Sequence, residues 1–107
     1  MTRVGYKLRA AAIIAVTTNI ACAASGCGPV LYQSAMSKAE GALISARENN
    51  AHWYAPYEYH YAQANLDKAY EEASHAEYED AVKFARAAQD YAGRALRIAE
   101  QQRFEDP

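Results

Sequence analysis

Alanine recurring at every third or fourth position is the feature of this chain that leaves the fewest folds open. Ala81, Ala85, Ala88, Ala92, Ala95 and Ala99 step alternately by four and three, which puts all of them on one face of an α-helix. The same steps run through Ala55, Tyr59, Ala62, Leu66, Ala69 and Ala73, and through Tyr32, Ala35, Met36, Ala39, Ala42, Leu43 and Ala46. Steps of this kind repeat about every 3.5 residues, the period of helices that wrap around one another. No alternating β-branched run and no Asn-Gly or Asp-Gly hairpin turn interrupts them. The expected fold class is all-α.

Punctuation residues set the expected limits. The first helix is predicted over about 30–49, ended by Asn49-Asn50. Pro56 suits the first position of the second, predicted over 56–74, because the missing N–H would have had no partner there. Ser74-His75-Ala76-Glu77 reads as a capping box for the third, predicted over 77–102. Its acidic start (Glu77, Glu79, Asp80) and basic later part (Arg94, Arg97, Arg103) complement the helix dipole, and Val82, Phe84, Tyr91, Leu96 and Ile98 widen its apolar face. Residues 104–107 are expected to fray. Short connections make neighbouring helices antiparallel, so the expected architecture over 31–103 is an up-down-up three-helix bundle.

Two weaknesses are written into that bundle. Gly41, mid-helix, costs about 1 kcal/mol relative to alanine; either a neighbour crosses closely there or the helix is locally weak. Alanine also buries little area, and at about 25 cal/mol per Å² such seams make a thin core. The expectation is a marginally stable domain, or one completed by a partner or a second copy.

The first 26 residues follow other rules. Arg3, Lys7 and Arg9 precede a mostly apolar stretch, Ala10 to Ala24, that ends in small residues. This is the layout of a cleaved secretory signal, shorter and weaker than the run of about 20 strongly apolar residues that spans a bilayer. Ala24-Ser25-Gly26-Cys27 resembles the lipobox of bacterial lipoproteins, with alanine where leucine is commoner. Cys22 is preceded by Asn19-Ile20-Ala21, a polar residue in the aliphatic position, so Cys27 is the expected lipidation site and 1–26 the expected signal peptide. An ordinary signal cut nearby is the alternative. The resemblance implies several acyl chains on Cys27, and Gly28, not being the Asp that favours inner-membrane retention, implies an outer-membrane lipid anchor with the domain in the periplasm. Residues 27–30 then form the anchor and a short linker.

Both cysteines are spent on signal and anchor, which leaves the mature domain without a disulfide or thiolate site. Losing Arg3, Lys7 and Arg9 takes the formal charge from -2 to about -5. Such a domain is a poor partner for nucleic acid, whose binding depends on phosphate neutralisation.

The helices around Tyr54-Ala55-Pro56, the alanine seams and the turn His75-Ala76-Glu77-Tyr78-Glu79-Asp80-Ala81 resemble a family of small helical envelope lipoproteins over about 31–102. That family is known only as a domain of unknown function, sometimes joined to an OmpA-like peptidoglycan-binding domain. The same turn weakly resembles tetratricopeptide repeats, with Tyr78 and Ala81 as packing positions. Neither resemblance supplies catalytic residues.

Catalytic and metal readings find little support. His52, His60 and His75, with Glu58, lack the three- or four-residue spacing of helical ligand pairs. Glu71 with Glu72, and Glu79 with Asp80, are sequence neighbours that point to different faces. No nucleophile elbow or phosphate loop is present, so no catalytic residue, metal or cofactor is expected. The candidate binding surface is the aromatic group Trp53, Tyr54, Tyr57 and Tyr61, with Tyr59 claimed by the seam. Rings with one wet edge serve interfaces and sugar platforms; alternatively, they supply volume that the seams lack. The row Lys83, Arg86, Asp90, Arg94, Arg97 reads as a solvated face paired at four-residue spacing, with anionic lipid or wall polymer as the alternative contact. The expected function is a non-catalytic structural or adaptor element of the envelope, docking an envelope protein or itself. The alternative is a peptidoglycan- or carbohydrate-binding module built around Trp53.

Overall fold

The computed structural model describes residues 27–105. They form four helices: α1 (Cys27–Glu48), α2 (Ala51–Tyr54), α3 (Pro56–Ser74) and α4 (Tyr78–Glu105). No strand occurs among the described residues. The signal peptide expected over 1–26, and the last two residues of the expected tail, lie outside them.

The helices depart from the sequence expectation in several places, among them the end of α4, which runs past 102 through Phe104 and Glu105 of the tail expected to fray. Helix α1 begins at Cys27, inside the segment expected to be linker; Gly28 and Pro29 are tolerated in a first turn, whose N–H groups have no intrahelical partner. Helix α2 occupies what reads as a turn. Asn50 takes the left-handed conformation at φ 60°, which its short polar side chain tolerates, and its carbonyl accepts from the N–H groups of Trp53 (3.0 Å) and Tyr54 (3.1 Å). Helix α2 stops at Ala55, which precedes Pro56 and is driven out of the α region (φ -135°, ψ 61°).

Ser74 does not cap α4. It is the last residue of α3, and its hydroxyl donates to Glu71 O at 2.6 Å. The Glu77 N–H donates to Glu72 O (2.9 Å) and the Ala76 N–H to Ala73 O (3.0 Å). This is a Schellman closure of α3, with Ala76 in the left-handed position at φ 59°, where glycine is usual. The Ser-x-x-Glu pattern thus closes the helix before it and does not open the one after.

Of the sixteen buried apolar residues among those described, thirteen are alanines; the others are Met36, Leu43 and Tyr59. All but Ala81 fall into two clusters along α4. Near its start, Ala85 and Ala88 meet Ala35, Met36, Ala39 and Ala69. Further on, Ala92, Ala95 and Ala99 meet Leu43, Ala46, Ala51, Ala55, Tyr59 and Ala62. Partly buried Leu66 touches both. Helix α4 packs closely against α1 and α3, which touch each other less. Small residues on α4 permit its close approach, whereas the bulk of Leu43, Tyr59 and Leu66 lies between α1 and α3.

Contacts at both ends fix relative directions. Tyr32 and Tyr78, near the starts of α1 and α4, bring their rings to 5.8 Å. At the far ends, Arg103 Nη2 donates to Asn49 O (3.1 Å) and Asn49 Oδ1 (2.9 Å), holding the last turn of α4 onto the end of α1 and satisfying a terminal carbonyl. Tyr70 on α3 donates to the Glu40 carboxylate on α1. Gly41 has no close crossing, since a Cβ there would meet nothing within 4 Å.

Candidate functional site

The buried stripe of α3 takes Tyr59 inward, at 6% exposure, so residues two positions away on either side are turned outward. Tyr57 and Tyr61, one helical turn apart, stack with ring centroids 5.9 Å apart and planes inclined by 22°. Tyr61 then meets Tyr91 of α4 at 4.5 Å, inclined by 60°. Arg94 places its guanidinium carbon 4.9 Å from the centre of the Tyr91 ring, within cation–π range, while Nη2 pairs with Asp90 at 2.9 Å. The result is a ladder of three rings and a cation across the α3–α4 seam.

Much of the ladder faces solvent: Tyr57 is 69% exposed and Tyr61 44%. Beside it lies a cleft of about 370 Å³ lined by Tyr57, Glu58, Tyr91, Arg94, Arg97 and Ile98. A second hollow, of about 380 Å³, lies against Pro56, Tyr57, His60 and Tyr61. Volumes of this size fall at the small end of ligand sites, about 300–1,000 Å³.

The four aromatic residues proposed from sequence do not pack as one group. Tyr57 and Tyr61 join the ladder. Trp53 is 77% exposed and pairs with no ring among the described residues. Tyr54 is half-buried against the core, supplying volume as the alternative reading had it. Tyr91, Arg94 and Arg97 complete the site but are absent from the sequence-based cluster. The missing signal is chain symmetry: Tyr61 and Tyr91 are equidistant along the chain from Ala76, so a helical hairpin turning there puts them opposite each other.

The other candidates resolve differently. His52 and His60 flank the Tyr59 ring, at 5.8 and 5.6 Å between centroids, and no metal-binding group of His, Cys, Asp and Glu occurs among the described residues. Along the basic row, Lys83 pairs with Asp80 (3.6 Å) and Glu79 (3.9 Å). Arg86 and Arg97 have no ion-pair partner among the described residues. The Tyr70 phenol is held up to about 12 by its hydrogen bond to Glu40, with burial adding to the shift. The same carboxylate raises Tyr32, though burial is the larger cause there. No described helix is long and apolar enough to cross a membrane.

Compared with protein-family models, with curated proteins and with solved structures, the chain finds no match.

Proposed function

We propose that this chain is a bacterial envelope lipoprotein, acylated on Cys27 and held at the outer membrane with its domain in the periplasm. It acts there as a non-catalytic structural or adaptor element without a cofactor. Its three long helices form the antiparallel up-down-up bundle, a reading supported by the pairing of Tyr32 with Tyr78, Tyr61 with Tyr91 and Arg103 with Asn49. The observation that carries the adaptor reading is the placing of exposed rings at the end of the bundle remote from Cys27. Helix α1 has 22 residues and so rises by about 33 Å. The helix starting at Cys27 leaves no slack, so Trp53 and Tyr57 project away from the bilayer toward a partner protein or a second copy. Aromatic side chains are the usual anchors of such docking.

Labelling cells with radioactive palmitate tests the anchor: the chain should carry label and sediment with membranes, and Cys27→Ser should lose both. A photo-crosslinker at position 53 tests the docking. A discrete adduct supports the adaptor, and diffuse labelling that is the same from a crosslinker at exposed Lys38 opposes it.

A second reading, carbohydrate binding with peptidoglycan as the wall polymer, is favoured by the stacked Tyr57–Tyr61 pair, which offers flat faces to solvent.

A further inference from the structure

We infer that the cleft between the first half of α3 and the second half of α4 binds an acidic carbohydrate, a pyranose ring seated against Tyr57 and Tyr91 with its carboxylate on Arg97. This rests on the carbohydrate reading and is independent of acylation at Cys27.

Three observations select the ligand class. The walls combine aromatic surface with polar groups: Tyr57 supplies an exposed ring, Tyr91 lies in the wall against Tyr61 and Arg94, and Glu58 and Gln101 can hydrogen-bond hydroxyls. Sugar rings have the matching character, an apolar C–H face rimmed by hydroxyls. The charge is specific as well. Arg94 is committed to Asp90, whereas Arg97, lining the same cleft, has no carboxylate partner among the described residues. One spare guanidinium matches one carboxylate in bidentate geometry, and the Glu58 carboxylate in the same wall opposes densely charged ligands such as polyphosphates. Finally, Tyr57 lines both this cleft and the second hollow, so adjacent sugars of one polymer can occupy the two.

The test uses the full chain purified in detergent and two soluble probes, N-acetylmuramic acid and N-acetylglucosamine, which differ by a carboxylate-bearing ether. The acidic sugar should bind about tenfold tighter, as a charged hydrogen bond implies. Arg97→Gln should abolish that preference while leaving the neutral sugar unchanged. Tyr57→Ala should weaken both sugars, and Arg86→Gln, which removes an unpaired cation outside the cleft, should affect neither. All these positions are exposed, and equal helicity checks that each variant is folded. Equal binding of the two sugars, or a preference surviving Arg97→Gln, overturns the cleft assignment while carbohydrate binding stands. Sacculi stripped of their peptides by an amidase, which frees the muramic carboxylates, and lipopolysaccharide vesicles identify the source, since pelleting with either alone, lost in Arg97→Gln, supports the inference. Binding to none of the four probes overturns both the inference and the carbohydrate reading.

Discussion

Exchanging two residues within this chain, Gly41→Ala together with Ala76→Gly, should raise its stability by roughly 1–2 kcal/mol. Gly41 lies inside α1, and an added Cβ meets nothing within 4 Å, so alanine recovers about 0.8–1.0 kcal/mol of helix propensity without a steric cost. Ala76 is the reverse case. It holds φ 59° to close α3, a conformation costing an L-residue about 1–2 kcal/mol. Glycine relieves that strain but loosens the unfolded chain by about 0.4–1 kcal/mol, leaving a net gain of about 0.5–1 kcal/mol by difference. The sites share no contact, so the two gains should add. For a domain of this size each kcal/mol moves Tm by about 4–8 °C, so the exchange should raise Tm by roughly 5–15 °C. Thermal melts followed by circular dichroism on the parent, both single variants and the double variant measure each part. A fall in Tm for Ala76→Gly, or a double variant no more stable than Gly41→Ala, would refute the account of the α3 closure.

Other consequences can be checked separately. Ala92→Leu, at a fully buried seam position, should cost about 1–3 kcal/mol by overpacking, while Ala64→Leu at an exposed site should leave Tm nearly unchanged; equal melts would mean the seam is not tightly packed. Arg103→Ala, which removes both bonds to Asn49, should cost about 0.5–1 kcal/mol and speed amide exchange in the last turn of α4 but not in α3. The Tyr70 pKa, raised in the folded chain from 10.0 to about 12, makes the phenol–Glu40 bond a stabilising contact that is fully present below pH 10. It is lost as pH rises through about 12, because the unfolded state releases the proton first. Melts at increasing pH should show this loss, and Tyr70→Phe should flatten it; an unchanged slope would exclude Tyr70 as its source.

The parts of the fold that are readable in the sequence depend on repetition, and the parts that are not depend on single bonds. Six alanines at steps of four and three all turn up buried on α4, because each repeats the same demand for one face. Pro56 places the start of α3 correctly, its ring excluding alternatives. The short helix α2 depends on Asn50 adopting one backbone conformation, and Asn49-Asn50 equally permits a plain stop. Ser74-x-x-Glu77 is compatible with opening a helix or closing one; the Glu77 N–H settles the matter by bonding backward to Glu72 O. In the site, aromatic richness marks Trp53, Tyr54, Tyr57 and Tyr61 alike, yet only the packing of α2 separates half-buried Tyr54 from exposed Trp53.

The thin core and the exposed rings are two sides of one arrangement. An alanine seam lets α4 lie close to both α1 and α3, and close helices leave no interior large enough for most of the tyrosines. Tyr59 is the only buried tyrosine among the described residues. The others are pushed to the rims of the helix–helix seams, where Tyr32 meets Tyr78, Tyr70 reaches Glu40, and Tyr57, Tyr61 and Tyr91 line up beside Arg94. At most rims a ring is tied to a neighbouring helix and adds the area that the seam lacks. Tyr57 touches only its neighbour one turn on within the ring ladder. Its exposed face therefore contributes least to the fold, and that is why ligand binding, before stability, is the property expected to suffer from Tyr57→Ala.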